Sequence, residues 1–304
     1  MVGLAGHRAR GCGVTLAAAA PPDLGFRTRF APSPTGPLHL GHAYSAILAH
    51  DMARTNGGAF LLRIDDIDQS RARPHWDAAL RDDLTWLGLT WDAPPRRQSE
   101  HLPAYSAALA ILAARGLTYP CGCSRRDIRE AASAPQEGTA PGPDGPIYPG
   151  TCRARPMAGA QARDAIRLNM AAALAQLDDA LVFSDTGPEH GGTHSIDPRQ
   201  MIDTIGDVVL ARPGMGASYH LSVVVDDTAQ AVSHVIRGAD LFAATPIHVL
   251  LQRLLNQPTP TYHHHRLIRD EHGKRLAKRD DARALALYRA QGVTPTQIRQ
   301  MVGL

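Results

Sequence analysis

Arg29-Phe30-Ala31-Pro32-Ser33-Pro34-Thr35-Gly36-Pro37-Leu38-His39-Leu40-Gly41-His42 is the stretch that most constrains this chain. Pro32 and Pro34 forbid helix before Gly36, because proline lacks an amide donor and pushes the preceding residue out of the helical region. Gly36 and Gly41 have no β-carbon, so backbone there can approach a ligand closely. From His42 the apolar residues turn helical: Ala43, Ala46, Ile47, Ala49 and Met52 fall near one face, and Gly57-Gly58 ends the run. The stretch reads as a strand end, a stiffened turn and a helix start. The free N–H groups and positive dipole end of such a helix point at whatever sits before it. His39 and His42 stand at the same end, so an anionic phosphate is the natural guest. A packing corner is the plainer reading that a lone His-x-x-His would permit.

The whole chain narrows the choice. Its 304 residues suit one large domain with an insertion, or two domains. The formal net charge is only +3, so a nucleic-acid contact would need a local basic patch. No apolar run reaches transmembrane length. Three of the four cysteines cluster, which points to a reducing cytoplasm and a metal site rather than a disulfide framework. Residues 1–25 are Ala/Gly-rich with early basic residues. Their apolar part is short and Gly-broken, and Pro21-Pro22 follows, so a disordered N-terminal extension is expected rather than a signal peptide. Cys12 has no evident role in it.

Ala59-Phe60-Leu61-Leu62-Arg63-Ile64 suits a buried parallel strand. It ends in Asp65-Asp66-Ile67-Asp68, and the carboxyl ends of such strands are where open α/β sheets hold ligands. Pro74 opens a helix with Trp76, Leu80, Leu84 and Leu87 as its core face. Tyr105 to Arg115 reads as another, closed by Gly116. Cys121-Gly122-Cys123 then opens a Pro/Gly-dense segment that closes at Tyr148-Pro149-Gly150-Thr151-Cys152. Two close cysteines, a long loop and a third cysteine make a zinc knuckle that staples the loop's ends, provided a fourth ligand exists. Ala165–Leu168 reads as a strand and 171–180 as helical. The main sheet is expected to resume at Gly206–Arg212. The Val-rich run ending at Asp226-Asp227 reads as a strand end with no assigned role, Val232–Asp240 as the next strand, and 239–256 as a helix. His263-His264-His265 reads as strand and loop, because adjacent residues do not easily share one ion. From Arg266 to Arg299, nine Arg or Lys stand against four Asp or Glu, an excess that fits a polyphosphate or an RNA backbone.

The fourteen-residue string closely resembles the first signature of class I aminoacyl-tRNA synthetases in its glutamyl and glutaminyl branch. Residues 269–279, Arg-Asp-Glu-His-Gly-Lys-Arg-Leu-Ala-Lys-Arg, resemble the second signature, with Arg275 replacing its first lysine, Ala277 its serine, and Lys278 keeping its second lysine. The resemblance covers roughly residues 26–285 and is nearest to the truncated branch that glutamylates queuosine in tRNA(Asp). It implies an α/β fold: a doubly wound, parallel, Rossmann-like catalytic domain with a small zinc-bearing insertion and a short helical C-terminus. The implied division is a catalytic domain in two halves, 26–120 and 191–265, an insertion over 121–190, and the second signature with C-terminal helices over 266–304. No anticodon-binding domain is expected after it.

The resemblance also implies roles. His39, His42 and Lys278 act in adenylation, and with Gly41 they bind ATP. Arg29, Ala31, Ser33, Asp65, Tyr219 and Arg237 bind glutamate. Asp65 stands where the branch has a glutamate, one methylene longer. The chemistry agrees for Arg237, since a guanidinium can fork onto a carboxylate, although Arg237 taken alone reads as a surface salt bridge. Cys121, Cys123, Tyr148 and Cys152 hold one structural Zn2+, with Tyr148 as the unusual ligand. ATP with Mg2+, glutamate and queuosine-bearing tRNA(Asp) are the implied partners of a cytoplasmic, monomeric ligase. An ordinary glutamyl-tRNA synthetase acting at the tRNA 3′ end, or a non-catalytic paralogue that only binds nucleotide or tRNA, are the alternatives.

Overall fold

The structure, a computed structural model, describes residues 25–132, 142–143, 145–268 and 283–304. The 1–25 extension apart from Gly25, and the second-signature residues Arg275, Ala277 and Lys278, lie outside the described residues.

The first signature folds as a strand, a proline turn and a helix. β1 (Arg27–Phe30) leads through the turn into α1 (Leu40–Thr55). The helix starts earlier than its apolar pattern, because its two histidines cap it. His39 Nδ1 accepts the Gly41 N–H at 3.1 Å, and His42 Nδ1 accepts the His39 N–H at 3.2 Å, so two orphan donors are satisfied reciprocally. Gly57, at φ +62°, turns the chain out of α1. A β-carbon at Gly58 would sit 1.9 Å from the Phe26 carbonyl oxygen, so only glycine lets β2 (Ala59–Ile64) start this close to β1.

α2 (Pro74–Trp86) opens on its proline and buries Leu80 and Leu84, whereas Trp76 is half-buried. β3 (Arg96–Arg97) and α3 (Leu102–Ala114) follow. Next come β4 (Thr118–Cys121), α4 (Arg125–Ala132), β5 (Ala165–Leu168) and α5 (Met170–Leu174). β6 (Leu181–Asp185) and β7 (Gly192–Ile196) make a hairpin, and α6 (Pro198–Gln200) runs on as a π-helix over Met201–Ile205. β8 (Val209–Ala211), α7 (Tyr219–Ala229), β9 (His234–Gly238), α8 (Thr245–Leu254) and β10 (Thr261–His265) complete the second half. α9 (Leu285–Ala290) and α10 (Pro295–Val302) end the chain.

β1, β2 and β3 are parallel. So are β9 and β10, and β10 pairs in parallel with β6 at Tyr262 and Asp185. The two parallel groups meet where the Ser233 N–H donates to the Arg27 carbonyl at 3.0 Å, setting β9 beside β1. The chain lays β2 and β3 on one side of β1 and β9 and β10 on the other, and this reversal of strand order creates the crevice that ligands use in such sheets. One core cluster packs α1, α2, α10 and the first strands around Ile47, Phe60 and Leu84; another packs α3, α7 and α8 around Leu112, Leu221 and Leu250. No described helix is long and apolar enough to cross a membrane.

Three expectations differ from the structure. The Val-rich run before Asp226 is helix α7, not a strand: Ser218 caps it, its Oγ accepting the Leu221 N–H at 3.4 Å, and the cap and packing override the strand preference of valine. The main sheet does not resume at Gly206, since β8 pairs antiparallel with β5, which pairs antiparallel with β4. The 239–256 helix is a 3-10 helix over Ala239–Ala244 followed by α8, whose break coincides with Pro246 in the first turn.

Candidate active site

A cavity of about 440 Å3 opens at the carboxyl ends of β1, β2 and β9. Arg29, Ala31, Ser33, Asp65, Tyr219 and Arg237 all line it, as do His39, Gly41 and His42. Residues from four separate parts of the sequence thus meet in one space. In both histidines Nδ1 accepts a backbone N–H, so a neutral ring carries its proton on Nε2, a donor suited to a phosphate oxygen.

Under the cavity lies a row of ions. Arg29 donates from Nε to Asp227 Oδ1 at 2.9 Å, and Arg63 donates to the same oxygen from Nη1. Arg63 also donates from Nε to Asp65 Oδ1 at 2.7 Å. Arg63 is fully buried. Burial would raise the Asp227 carboxyl, but the two guanidiniums outweigh it and hold Asp227 below the ordinary carboxylate range. Asp65 goes the other way: burial outweighs Arg63 and pushes it up to about 6. Asp226, whose Oδ2 lies 3.9 Å from Arg63 Nε, accepts its hydrogen bonds elsewhere, from Arg96 at 2.7 Å, Gln98 at 3.0 Å and the Tyr105 hydroxyl at 2.9 Å. Both aspartates carry structural weight that their sequence did not announce.

Arg237 differs from the other two guanidiniums. It donates from Nε to His264 Nε2 at 3.0 Å, from Nη1 to His248 Nδ1 at 2.9 Å, and from Nη2 to Thr245 Oγ1 at 2.7 Å and the Leu241 carbonyl at 3.4 Å. Four of its five N–H groups therefore have protein partners, and none of those partners is a carboxylate. Among the described residues no carboxylate forms an ion pair with it, so its charge is uncompensated by direct contact. The two-bond fork expected from the sequence has, in this arrangement, one N–H of Nη1 left for a ligand. Tyr219, 40% exposed at the start of α7, supplies a hydroxyl on the same wall.

Ile268 lines the cavity, and beyond the undescribed stretch Ala284 bridges to His39 while the Leu285 N–H donates to the Leu38 carbonyl at 2.8 Å. Of the described residues flanking that stretch, Ile268 thus borders the cavity, and Ala284 and Leu285 are bonded to the first signature.

A second constellation lies in the β4–β5 layer. The sulfurs of Cys121, Cys123 and Cys152 lie within 4.8 Å of one another. The Tyr148 hydroxyl is 3.3 Å from Cys121 Sγ and 3.5 Å from Cys123 Sγ, and Cys123 and Cys152 sulfurs are 3.5 Å apart. A tetrahedral zinc with bonds of about 2.3 Å to sulfur and about 2.0 Å to oxygen has S···O edges of about 3.5 Å and S···S edges of about 3.8 Å. The four donors fit such an ion. Burial and the neighbouring thiols push the Tyr148 phenol up, and a divalent cation at the centre would reverse that balance. Arg167 stacks its guanidinium 3.9 Å from the centre of the Tyr148 ring and helps fix it.

These features define a class. The chain belongs to the family of class I tRNA synthetases (E and Q), whose catalytic-domain pattern matches residues 25–304. Within that family it belongs with the glutamyl-Q tRNA(Asp) synthetases, which are ligases. It is 63% identical over 280 residues to the Glutamyl-Q tRNA(Asp) synthetase of Rhodobacter capsulatus, covering 91% of this chain and 99% of that one. To that of Symbiobacterium thermophilum it is 42% identical over 280 residues, covering 89% and 83%. Among solved structures, a glutamate tRNA ligase from Elizabethkingia meningosepticum in complex with its amino acid superposes with a TM-score of 0.67 at 27% identity, over 84% of this chain and 52% of that one. The chain thus spans about half the length of that ligase.

Proposed function

We propose that the protein activates glutamate with ATP and transfers the glutamyl group to the cyclopentenediol of queuosine in the anticodon of tRNA(Asp). The observation that carries this reading is one cavity holding both signature histidines and an arginine that has no carboxylate partner among the described residues. A buried cation of this kind favours an anionic side chain over its amide, since an unpaired charge is costly and a carboxylate relieves it.

In the first step an α-carboxylate oxygen of glutamate attacks the α-phosphorus of ATP. An O–P bond forms, and pyrophosphate leaves with the electron pair of the broken P–O bond. His39 and His42 donate to phosphate oxygens as charge develops on them, Gly41 lets the nucleotide approach the backbone, and Lys278 offsets the charge on the leaving group. Asp65 accepts from the substrate ammonium, Tyr219 and Arg237 hold the side-chain carboxylate, and Arg29, Ala31 and Ser33 shape the pocket between them. Mg2+ accompanies ATP. In the second step a queuosine hydroxyl attacks the acyl carbon, AMP leaves, and the hydroxyl proton is lost to water. Cys121, Cys123, Tyr148 and Cys152 would hold Zn2+ as a structural ion, since four protein ligands leave no open position.

The reading takes the protein as a cytoplasmic monomer in which residues 26–120 and 191–265 form the two catalytic halves around the 121–190 insertion, with β6 and β8 exchanged between layers. Transfer of labelled glutamate to tRNA from cells able and unable to make queuosine tests it. Labelling confined to the queuosine-bearing pool supports it. Equal labelling of both pools, or label on the 3′ adenosine, makes the protein an ordinary glutamyl-tRNA synthetase instead.

A further inference from the structure

The partners of Arg237 have partners of their own. An arginine donates only, so His264 Nε2 and His248 Nδ1 must both be acceptors. In the neutral ring the His264 proton then sits on Nδ1, against Asp185 Oδ2, and the His248 proton sits on Nε2, 3.0 Å from His220 Nδ1. His248 and His264 are buried, and Asp185 is 3% exposed. Asp185 Oδ1 is occupied separately: it accepts the Gly187 N–H at 2.6 Å and the His264 N–H at 3.3 Å. Gly187 packs so tightly there that a β-carbon would lie 2.1 Å from the His264 carbonyl oxygen. The backbone therefore locks the carboxylate with Oδ2 facing the imidazole.

We infer that Asp185 and His264 are positioning residues for the substrate's side-chain carboxylate, holding Arg237 through a neutral imidazole so that the guanidinium is oriented but its charge stays available to the ligand. A carboxylate placed directly on Arg237 would orient it equally well and neutralise it, which is what Asp227 and Asp65 do to Arg29 and Arg63. Interposing an imidazole separates the two effects. Burial and the Arg237 charge also drive the His264 ring down to about 4, so it stays neutral at working pH. The inference rests on the glutamate reading above and specifies how that pocket achieves its selectivity.

Asp185→Asn is the informative variant. Because Oδ1 is pinned by two backbone donors, the new amide nitrogen must face His264 Nδ1. The ring proton then moves to Nε2, where it opposes the Arg237 N–H. The Michaelis constant for glutamate in ATP–pyrophosphate exchange should rise roughly 10- to 100-fold, the range expected for one unsatisfied buried donor. The constant for ATP should stay within about 2-fold, because ATP makes no use of Arg237. His264→Gln, whose carbonyl can still accept from Arg237, should recover most of the affinity that His264→Leu loses. An unchanged glutamate constant in folded Asp185→Asn, or equal losses for glutamate and ATP across all three variants, overturns the assignment. Nitrogen-15 spectra of the His264 ring read the relay without any reaction: Nδ1–H in the parent and Nε2–H in Asp185→Asn are expected, and Nε2–H in the parent refutes it. If the parent shows no glutamate-dependent exchange, the functional reading fails while these spectra still decide the relay.

Discussion

Asp227 accepts the Nε–H of Arg29 at 2.9 Å across 198 residues of sequence, and its same oxygen takes a second guanidinium from Arg63. One carboxylate on α7 thereby fastens the first strand to the second strand beneath the cavity. Asp227→Ala would remove the carboxylate that both buried guanidiniums share, leaving Arg63 with Asp65 and the more distant Asp226, and Arg29 with the Ile236 carbonyl. Breaking a buried pair in this way costs about 3–5 kcal/mol. Urea denaturation should show that loss at unchanged slope, and a midpoint equal to the parent's would mean the ionic row contributes little.

Lys278 lies outside the described residues; of the described residues around it in sequence, Ile268 lines the cavity and Ala284 bridges to His39. A cation brought there to meet developing phosphate charge contributes to the transition state more than to binding. Lys278→Ala should lower ATP–pyrophosphate exchange by roughly 10²-fold or more. Exchange at the parental rate would remove this lysine from the mechanism.

The three thiols and the phenol predict about one zinc per chain in protein prepared without chelators. Elemental analysis checks the content. Tyr148→Phe keeps the ring under Arg167 but removes the oxygen ligand, so it should release zinc to a chelator faster than the parent. Protein that folds fully and carries no zinc would assign the cluster to packing alone.

Asp83, on the buried side of α2, is pushed up to about 6 by burial and then by its neighbour Asp82. The unfolded chain has the ordinary value of 3.8. The folded chain therefore holds this proton more tightly, and stability falls as pH rises from about 3.8 to about 6, with the deficit persisting above. Asp83→Asn removes the charge. It should stabilise the protein by up to about 3 kcal/mol at pH 7 to 8 and leave it unchanged near pH 3.5. Thermal melts at the two pH values make the comparison, and equal shifts at both would rule out ionisation as the cause.

Much of the candidate site was legible because its parts are local. The proline turn, the two histidines and the strand ending at Asp65 announce a ligand-binding end within single stretches of chain, and the Cys121, Cys123 and Cys152 spacing announces a metal knuckle. α7 was not legible, because valine-rich sequence favours strands in isolation. Ser218 was the one local sign against that, and it is a weak one. Asp185 was less legible still: at the end of a short strand it looks like any turn residue until β6 is laid beside β10.

By itself the sequence determined where backbone must be stiff, where a helix must begin, and which residue types stand ready to meet phosphate or metal. Those follow from constraints that act within a few residues: proline geometry, capping and short spacings. The tertiary structure alone decided which carboxylate answers which guanidinium. Asp226 and Asp227 are adjacent and chemically identical, yet one braces Arg96, Gln98 and Tyr105 while the other neutralises Arg29 and Arg63. Arg237 was left to neutral histidines. A buried charge is tolerated only where the fold brings it a partner, and those partners come from strands and helices far apart in the chain. Their pairing exists only once the sheet has formed.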